Sequence, residues 1–257
     1  MSILNAYRPD SEPIISASHI FQPIAGFPKI AVGAFKEIEP FLEPFVAEEI
    51  AAMRITGLRF PVWRVNWQGT DIAIFNAMLG GPASVGMMEE VAAMGARKFL
   101  FYGSCGVLDR EIAAGGLILP TAAYRDEGAS YHYAPSGNDY IEIKTAGALR
   151  EILRSMNLPC VTTKTWTTDA IFRETRAAME ARRAEGCGAV DMECASLMAA
   201  AQFYGYGCYQ FFCAEDCLDG ETWDRRNMGS VPVSEQEAWL RLAIEIAARL
   251  NVEGELT

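Results

Sequence analysis

Short apolar runs of strand length alternate with segments of helical period along most of the chain, and this alternation constrains the fold more than any other feature. Strand candidates fall at 30–32, 62–67 with 71–77 as a hairpin, 99–102, 117–122, 161–165 and 209–213. Several are apolar at consecutive positions, the pattern of strands buried on both faces. Helix candidates fall at 85–94, 146–156, 174–184, 193–203 and 235–250. The last carries an apolar stripe at Trp239, Leu242, Ile246 and Leu250, opposite Arg241, Glu245 and Arg249. Strands and helices in turn predict an α/β fold of three layers, a central mixed and largely parallel sheet flanked by helices. With 257 residues and no visible boundary or repeat, the chain reads as one domain over 1–257.

Charge and cysteine usage narrow the function classes. A formal net charge of −11 argues against a surface built to neutralise nucleic-acid phosphates or anionic lipid, so neither nucleic acid nor membrane is expected as a partner. A local positive pocket for a small anion stays open. No apolar run approaches the roughly 20 residues that cross a bilayer, and 1–13 lacks the apolar core of a secretory signal. The seven cysteines include no CxxC pair, which predicts reduced thiols in a cytoplasmic protein. With only His19 and His132 to supply imidazole, neither a metal nor a cofactor is expected.

Three segments carry candidate chemistry. Gly103-Ser104-Cys105-Gly106 follows an apolar strand, where backbone N–H groups and a serine hydroxyl can converge on an anion or simply make a tight turn. Gly80-Gly81-Pro82-Ala83-Ser84 opens a helix, and neither glycine segment fits the dinucleotide fingerprint GxGxxG. Ala189-Val190-Asp191-Met192-Glu193 runs from an apolar segment into a helix. A carboxylate there can accept hydrogen bonds from a vicinal diol, or merely complement the helix dipole. Phe212-Cys213-Ala214-Glu215-Asp216 ends an apolar strand before the long polar loop 216–232, which contains Arg225 and Arg226. Acids at strand C-termini of open α/β sheets lie where ligands bind, and a nearby arginine can set their proton affinity; a solvated loop of mixed charge is the plainer alternative.

Taken in order, these motifs resemble the nucleoside phosphorylase superfamily, which takes in purine nucleoside phosphorylases, uridine phosphorylases and nucleosidases. The likeness runs from about His19 to Leu250 and includes Thr168-Asp169 and Val190-Asp191-Met192-Glu193. The stretch from Gly128-Ala129-Ser130 to Pro135 is particularly similar to uridine phosphorylases. The resemblance implies an enzyme that cleaves the N-glycosidic bond of a nucleoside, with water or phosphate as acceptor. It implies that Met192 packs on the ribose, Glu193 binds its hydroxyls, and Asp216 addresses a purine's N7 with Arg225 or Arg226 as partner. Phe172 would stack on the base. His19, on the segment 1–27, would reach a neighbouring subunit's 5′-hydroxyl site, which implies a homodimer or higher homo-oligomer. Gly33, Ser104 and a neighbour's Arg59 would hold phosphate or water.

Two departures bear on the acceptor. Where the family's phosphorylases carry arginines, this chain has Glu37 after Gly33 and Phe101 inside the strand before Gly103. A charged hydrogen bond contributes roughly 1.5–3 kcal/mol, so both losses weaken phosphate binding. A carboxylate there, Glu37 or Glu39, could instead activate water, which weighs hydrolysis above phosphorolysis. A phosphorylase with rearranged ligands (Lys36, Arg59 or Arg125) and a nucleoside-binding protein without turnover remain the alternatives. The residues near Thr175 and Ala177 are not the uracil-binding glutamine and arginine of uridine phosphorylases, which favours purine.

Overall fold

The structure, a computed structural model, describes residues 2–250. Its strands are β1 (Ile30–Ala34), β2 (Glu48–Ile55), β3 (Leu58–Trp67), β4 (Thr70–Asn76), β5 (Lys98–Val107), β6 (Leu117–Asp126), β7 (Tyr140–Glu142), β8 (Val161–Thr168), β9 (Cys187–Asp191) and β10 (Gly207–Cys217). Its helices are α1 (Gly81–Met94), α2 (Ser130–Tyr133), α3 (Ala146–Ser155), α4 (Arg176–Ala184), α5 (Cys194–Tyr204) and α6 (Val233–Leu250).

The strands form one sheet in the order β2-β3-β4-β1-β5-β10-β6-β8-β9, and β9 returns to pair with the end of β5. Thus β5, β10, β6, β8 and β9 close into a ring, while β1 to β4 extend from it as an open wing. The central pairings β4–β1–β5–β10 are parallel, as are β6–β8 and β8–β9. The wing β2–β3–β4 and the junctions β10–β6 and β5–β9 are antiparallel. β1 is buried at every position because it lies between two strands, and the first half of β10, paired with β5, is buried beneath α5 and α3.

Helices cover both faces. On one face α1 and α5 pack against the sheet and each other through Met87, Met88, Val91, Leu197 and Met198. These helices are apolar nearly all round, which suits their burial. On the other face α3 and α6 bury Leu149, Leu153, Trp239, Leu240 and Ile244, each contributing roughly 1.5–3 kcal/mol through removal of its side chain from water. α4 is different: it buries only Met179 and exposes most of its polar side chains.

Three local features arrange the site. Thr175 caps α4, its hydroxyl accepting from the Ala178 N–H at 3.3 Å, so the helix begins at Arg176 and Glu174 lies outside it. A register shift between Ala214 and Asp216, opposite Cys105 and Gly106, inserts Glu215 as an extra residue in β10. Bulges of this kind re-aim side chains. Finally, Gly103-Ser104-Cys105-Gly106 is not a turn. β5 continues through it, paired with β10 along its length, so its backbone is committed to the sheet rather than gathered around an anion.

Candidate active site

A cleft of about 540 Å³ opens at the C-terminal ends of β5, β9 and β10. Its wall begins with the β9–α5 junction. Asp191 is buried and holds this junction rigid: Oδ1 accepts from the Thr165 and Thr167 hydroxyls, both at 2.9 Å. Its Oδ2 accepts from the N–H groups of Glu193 (2.8 Å) and Cys194 (2.6 Å), satisfying the first donors of α5. This fixes Met192 and Glu193, which line the cleft. Glu193 is 5% exposed, and its Oε1 accepts from the Gly80 N–H at 2.7 Å, at the start of α1. Burial, reinforced by the charge of Asp191, pushes its carboxyl up to about 8. Near neutral pH it can therefore offer both an O–H and an acceptor oxygen to a diol.

β10 supplies Glu215 and Asp216. Glu215 is buried and ion-paired with Lys36, which follows β1. Asp216 is half-buried, and its Oδ2 accepts from the Trp223 indole N–H at 2.7 Å. Burial raises its pKa, and that hydrogen bond opposes the rise. Gly106 makes room here, since a Cβ on it would lie 2.9 Å from Leu218 and Val190 and 3.2 Å from Asp216 Oδ1. Glu174 completes this end of the cleft. Burial and the charge of Asp216 push it up to about 7.

The loop after β10 is strapped down over the cleft. Arg176 donates to the carbonyls of Gly220 and Glu221, Arg183 pairs with Asp219 at 2.6 Å, and Cys217 and Asp224 pair through their backbones. The strapping brings Trp223 onto Asp216.

A sequence model described as the phosphorylase superfamily matches residues 29–253. The chain belongs to that superfamily. Among curated proteins it is similar to uridine phosphorylase of Escherichia coli (strain K12), 26% identical over 184 residues that cover 63% of this chain and 73% of that one. It is also similar to guanosine phosphorylase of Halorubrum lacusprofundi, 24% identical over 151 residues that cover 57% of this chain and 61% of that one. Among solved structures, a futalosine hydrolase mutant of Helicobacter pylori strain 26695 shares the fold, with a TM-score of 0.68 and 18% identity over 86% of this chain and 99% of that one.

Of the residues expected at a superfamily site, Met192, Glu193, Asp216, Ser104 and Phe172 line one cleft. Phe172 sits at its mouth, 97% exposed. The others do not. Gly33 lies beneath the Phe101 ring, which occupies the space a Cβ would need, with Phe75 on its other side and Phe35 stacked on Phe101 at 5.9 Å. Glu37 and Glu39 are exposed on the segment after β1 and do not line the cleft, whereas Glu215, from the strand next to that of Ser104, does. Arg225 donates to the Met228 carbonyl and Arg226 to those of Ile112 and Arg110, so Asp216 takes its hydrogen bond from Trp223 and not from either arginine. Arg59 pairs with Glu49 on the β2–β3 hairpin, and His19 is exposed with Nδ1 accepting from Ser16 N–H at 3.3 Å; both are outside the cleft.

The stretch most similar to uridine phosphorylases proves architectural in this chain. Arg125 is buried and donates to Ser130 Oγ at 2.8 Å and to the carbonyls of Ala134, Pro135 and Asn138, which commits four of its five N–H donors within the fold. Glu174, Glu215 and Trp223 were missed from sequence. Thr175, a favoured N-cap type, was the signal that could have freed Glu174 from the expected helix. Nothing in the sequence marks the bulge at Glu215 or the fold-back of Trp223. All seven cysteines are free thiols, and among the described residues no group of His, Cys, Asp and Glu is placed to hold a metal. Among those residues no helix is long and apolar enough to cross a membrane.

Proposed function

We propose that this enzyme cleaves the N-glycosidic bond of purine nucleosides with water as the acceptor. The observation that carries the reading is the convergence of Met192, Glu193 and Asp216 on one cleft, the first pair from the β9–α5 junction and the acid from the end of β10. Glu193 binds the ribose diol and Met192 packs against the sugar, with Phe172 at the mouth closing on the base. As the bond between C1′ and the base nitrogen breaks, the base takes a proton from the acid end, and positive charge develops on the ribosyl ring. A water oxygen then adds to C1′ as its proton passes to the Glu215 carboxylate, from which it is released to solvent. Ser104 and Glu215, on adjacent strands, are assigned to that water, with Lys36 holding Glu215.

The aromatic packing at Gly33 supports water over phosphate. Phe101, Phe75 and Phe35 fill the space around this glycine, and phenyl rings donate nothing to an anion. The cations available to a rearranged phosphate site are already engaged: Lys36 by Glu215, Arg125 by carbonyls and Arg59 by Glu49.

The test is release of base and sugar from adenosine, inosine and uridine, with and without phosphate. Purine nucleosides are expected to react faster than uridine. Asp216→Asn is expected to lose roughly 10²–10⁴-fold in kcat, with KM little changed, as for removal of an acid that acts in the transition state. A clear preference for uridine contradicts the purine reading, and a near wild-type kcat in the variant removes Asp216 from the chemistry.

A further inference from the structure

The reading above uses Asp216 and leaves Glu174 without a task. Both side chains line the cleft, near enough for the charge of Asp216 to act on Glu174, and they reach it from different elements, β10 and the turn before α4. Among the described residues no basic side chain forms an ion pair with either one, although the charge of Arg226 favours the ionised form of Asp216. Arg176, beside Glu174, donates to the carbonyls of Gly220 and Glu221, and Arg226 to those of Ile112 and Arg110. Among the described residues the one hydrogen bond given to Asp216 by another side chain comes from the neutral Trp223.

We propose that Glu174 and Asp216 form a base-selecting pair, one carboxyl donating to N7 and the other accepting from a 6-amino group, so that 6-aminopurine nucleosides are the preferred substrates. The inference rests on the purine reading above and names its substrate class. The edge of a purine that carries N7 also carries the substituent at position 6. In adenine that edge presents one acceptor, N7, and one donor, the amino group; in 6-oxopurines it presents two acceptors. Two neighbouring carboxyls that share one proton offer one O–H and one acceptor oxygen, which matches the amino edge. Matching the oxo edge requires both to be protonated.

The environment favours the one-proton state near neutral pH. Burial and the charge of Asp216 push Glu174 up to about 7, while Trp223 donates to Asp216 and so favours its ionised form. The two therefore titrate as a pair. The other titratable groups around the cleft are Glu215 from β10, Asp191 and Glu193 from the β9–α5 junction, Cys105 from β5 and Arg176 from α4. Glu215 is paired with Lys36, Asp191 is fully hydrogen-bonded, and burial keeps Cys105 a neutral thiol. Glu193 holds the sugar side.

The experiment compares kcat/KM for adenosine and inosine across pH, in wild type and in Glu174→Gln. In wild type the ratio of adenosine to inosine is expected to exceed one near neutral pH and to fall as the pH falls, because protonating both carboxyls removes the acceptor and adds a donor. Glutamine cannot share a proton with Asp216, so in the variant the ratio is expected to drop about tenfold near neutral pH, the loss of one charged hydrogen bond, and the pH dependence that remains is that of Asp216 alone. A wild-type ratio at or below one near neutral pH, or a ratio unchanged by the substitution, overturns the pair while leaving glycosidic cleavage intact. If neither nucleoside is cleaved, the purine reading itself fails. Should the variant not fold, the pH dependence of the wild-type ratio decides alone.

Discussion

Glu193 is a residue at which folding and chemistry pull in opposite directions. Its carboxyl is buried beside Asp191, and its pKa rises from 4.5 to about 8. Between those values the folded protein keeps a proton that the unfolded chain has released, so stability falls as the pH rises through this window. Glu193→Gln keeps the acceptor for the Gly80 N–H and removes the ionisation. Its melting temperature is expected to match wild type at pH 4.5 and to exceed it progressively up to pH 8, by about a few degrees for a protein of this size. Thermal melts of the two proteins across that range check this, and parallel curves contradict it. At this scale the placement of Met192, Glu193 and Asp216 on one cleft was legible through the ordered motifs, because each sits where a regular element ends and the chain's direction is fixed. Glu37 was not, because whether a side chain after β1 faces the cleft or solvent depends on the path of an irregular segment. The carboxylate that lines the cleft there, Glu215, is exposed to it by a bulge that no periodicity announces.

At the scale of elements, the loop after β10 decides how the acid is set. Sequence reasoning gave Asp216 an arginine partner, since Arg225 and Arg226 follow it closely. The loop instead folds back through the Cys217–Asp224 pairing, and both guanidinium groups turn to carbonyls. The indole of Trp223 takes the place, donating a neutral hydrogen bond. Trp223→Phe is expected to raise the Asp216 pKa further, because the ionised form loses a donor while its burial remains. The limb of the pH–rate profile governed by this acid should then move to higher pH, with a smaller loss of kcat than in Asp216→Asn. A profile that does not move contradicts the role of Trp223. The longer helices and most strands of the sheet were readable from apolar runs and periodicity, whereas β9 and the single turn α2 were not among the expected elements. The hairpin strand β2 and the short β7 were not expected, because β2 is mostly half-exposed and charged and β7 spans only Tyr140–Glu142. The Gly103-Ser104-Cys105-Gly106 turn was a strand because its glycines serve close packing: a Cβ on Gly103 would lie 2.8 Å from that of Phe35.

At the scale of the molecule, two residues expected to complete a neighbour's site, His19 and Arg59, lie outside the cleft and at the surface. Ile14, Ile15 and Ile20 around His19 are exposed as well. An apolar segment of this kind suits contact with a second copy, and symmetric homo-oligomers are the common solution for shared sites. The active form is expected to be a dimer or a higher assembly, measurable by light scattering on active enzyme, and an active monomer contradicts it. The central claim, cleavage by water in the cleft lined by Met192, Glu193 and Asp216, has a more direct test. Desalted enzyme is incubated with adenosine in heavy-oxygen water, with and without phosphate, and the sugar product is identified by mass. The expected product is free ribose carrying the heavy oxygen at C1′, formed at the same rate whether or not phosphate is present. Ribose 1-phosphate, formed only when phosphate is added, would contradict the account.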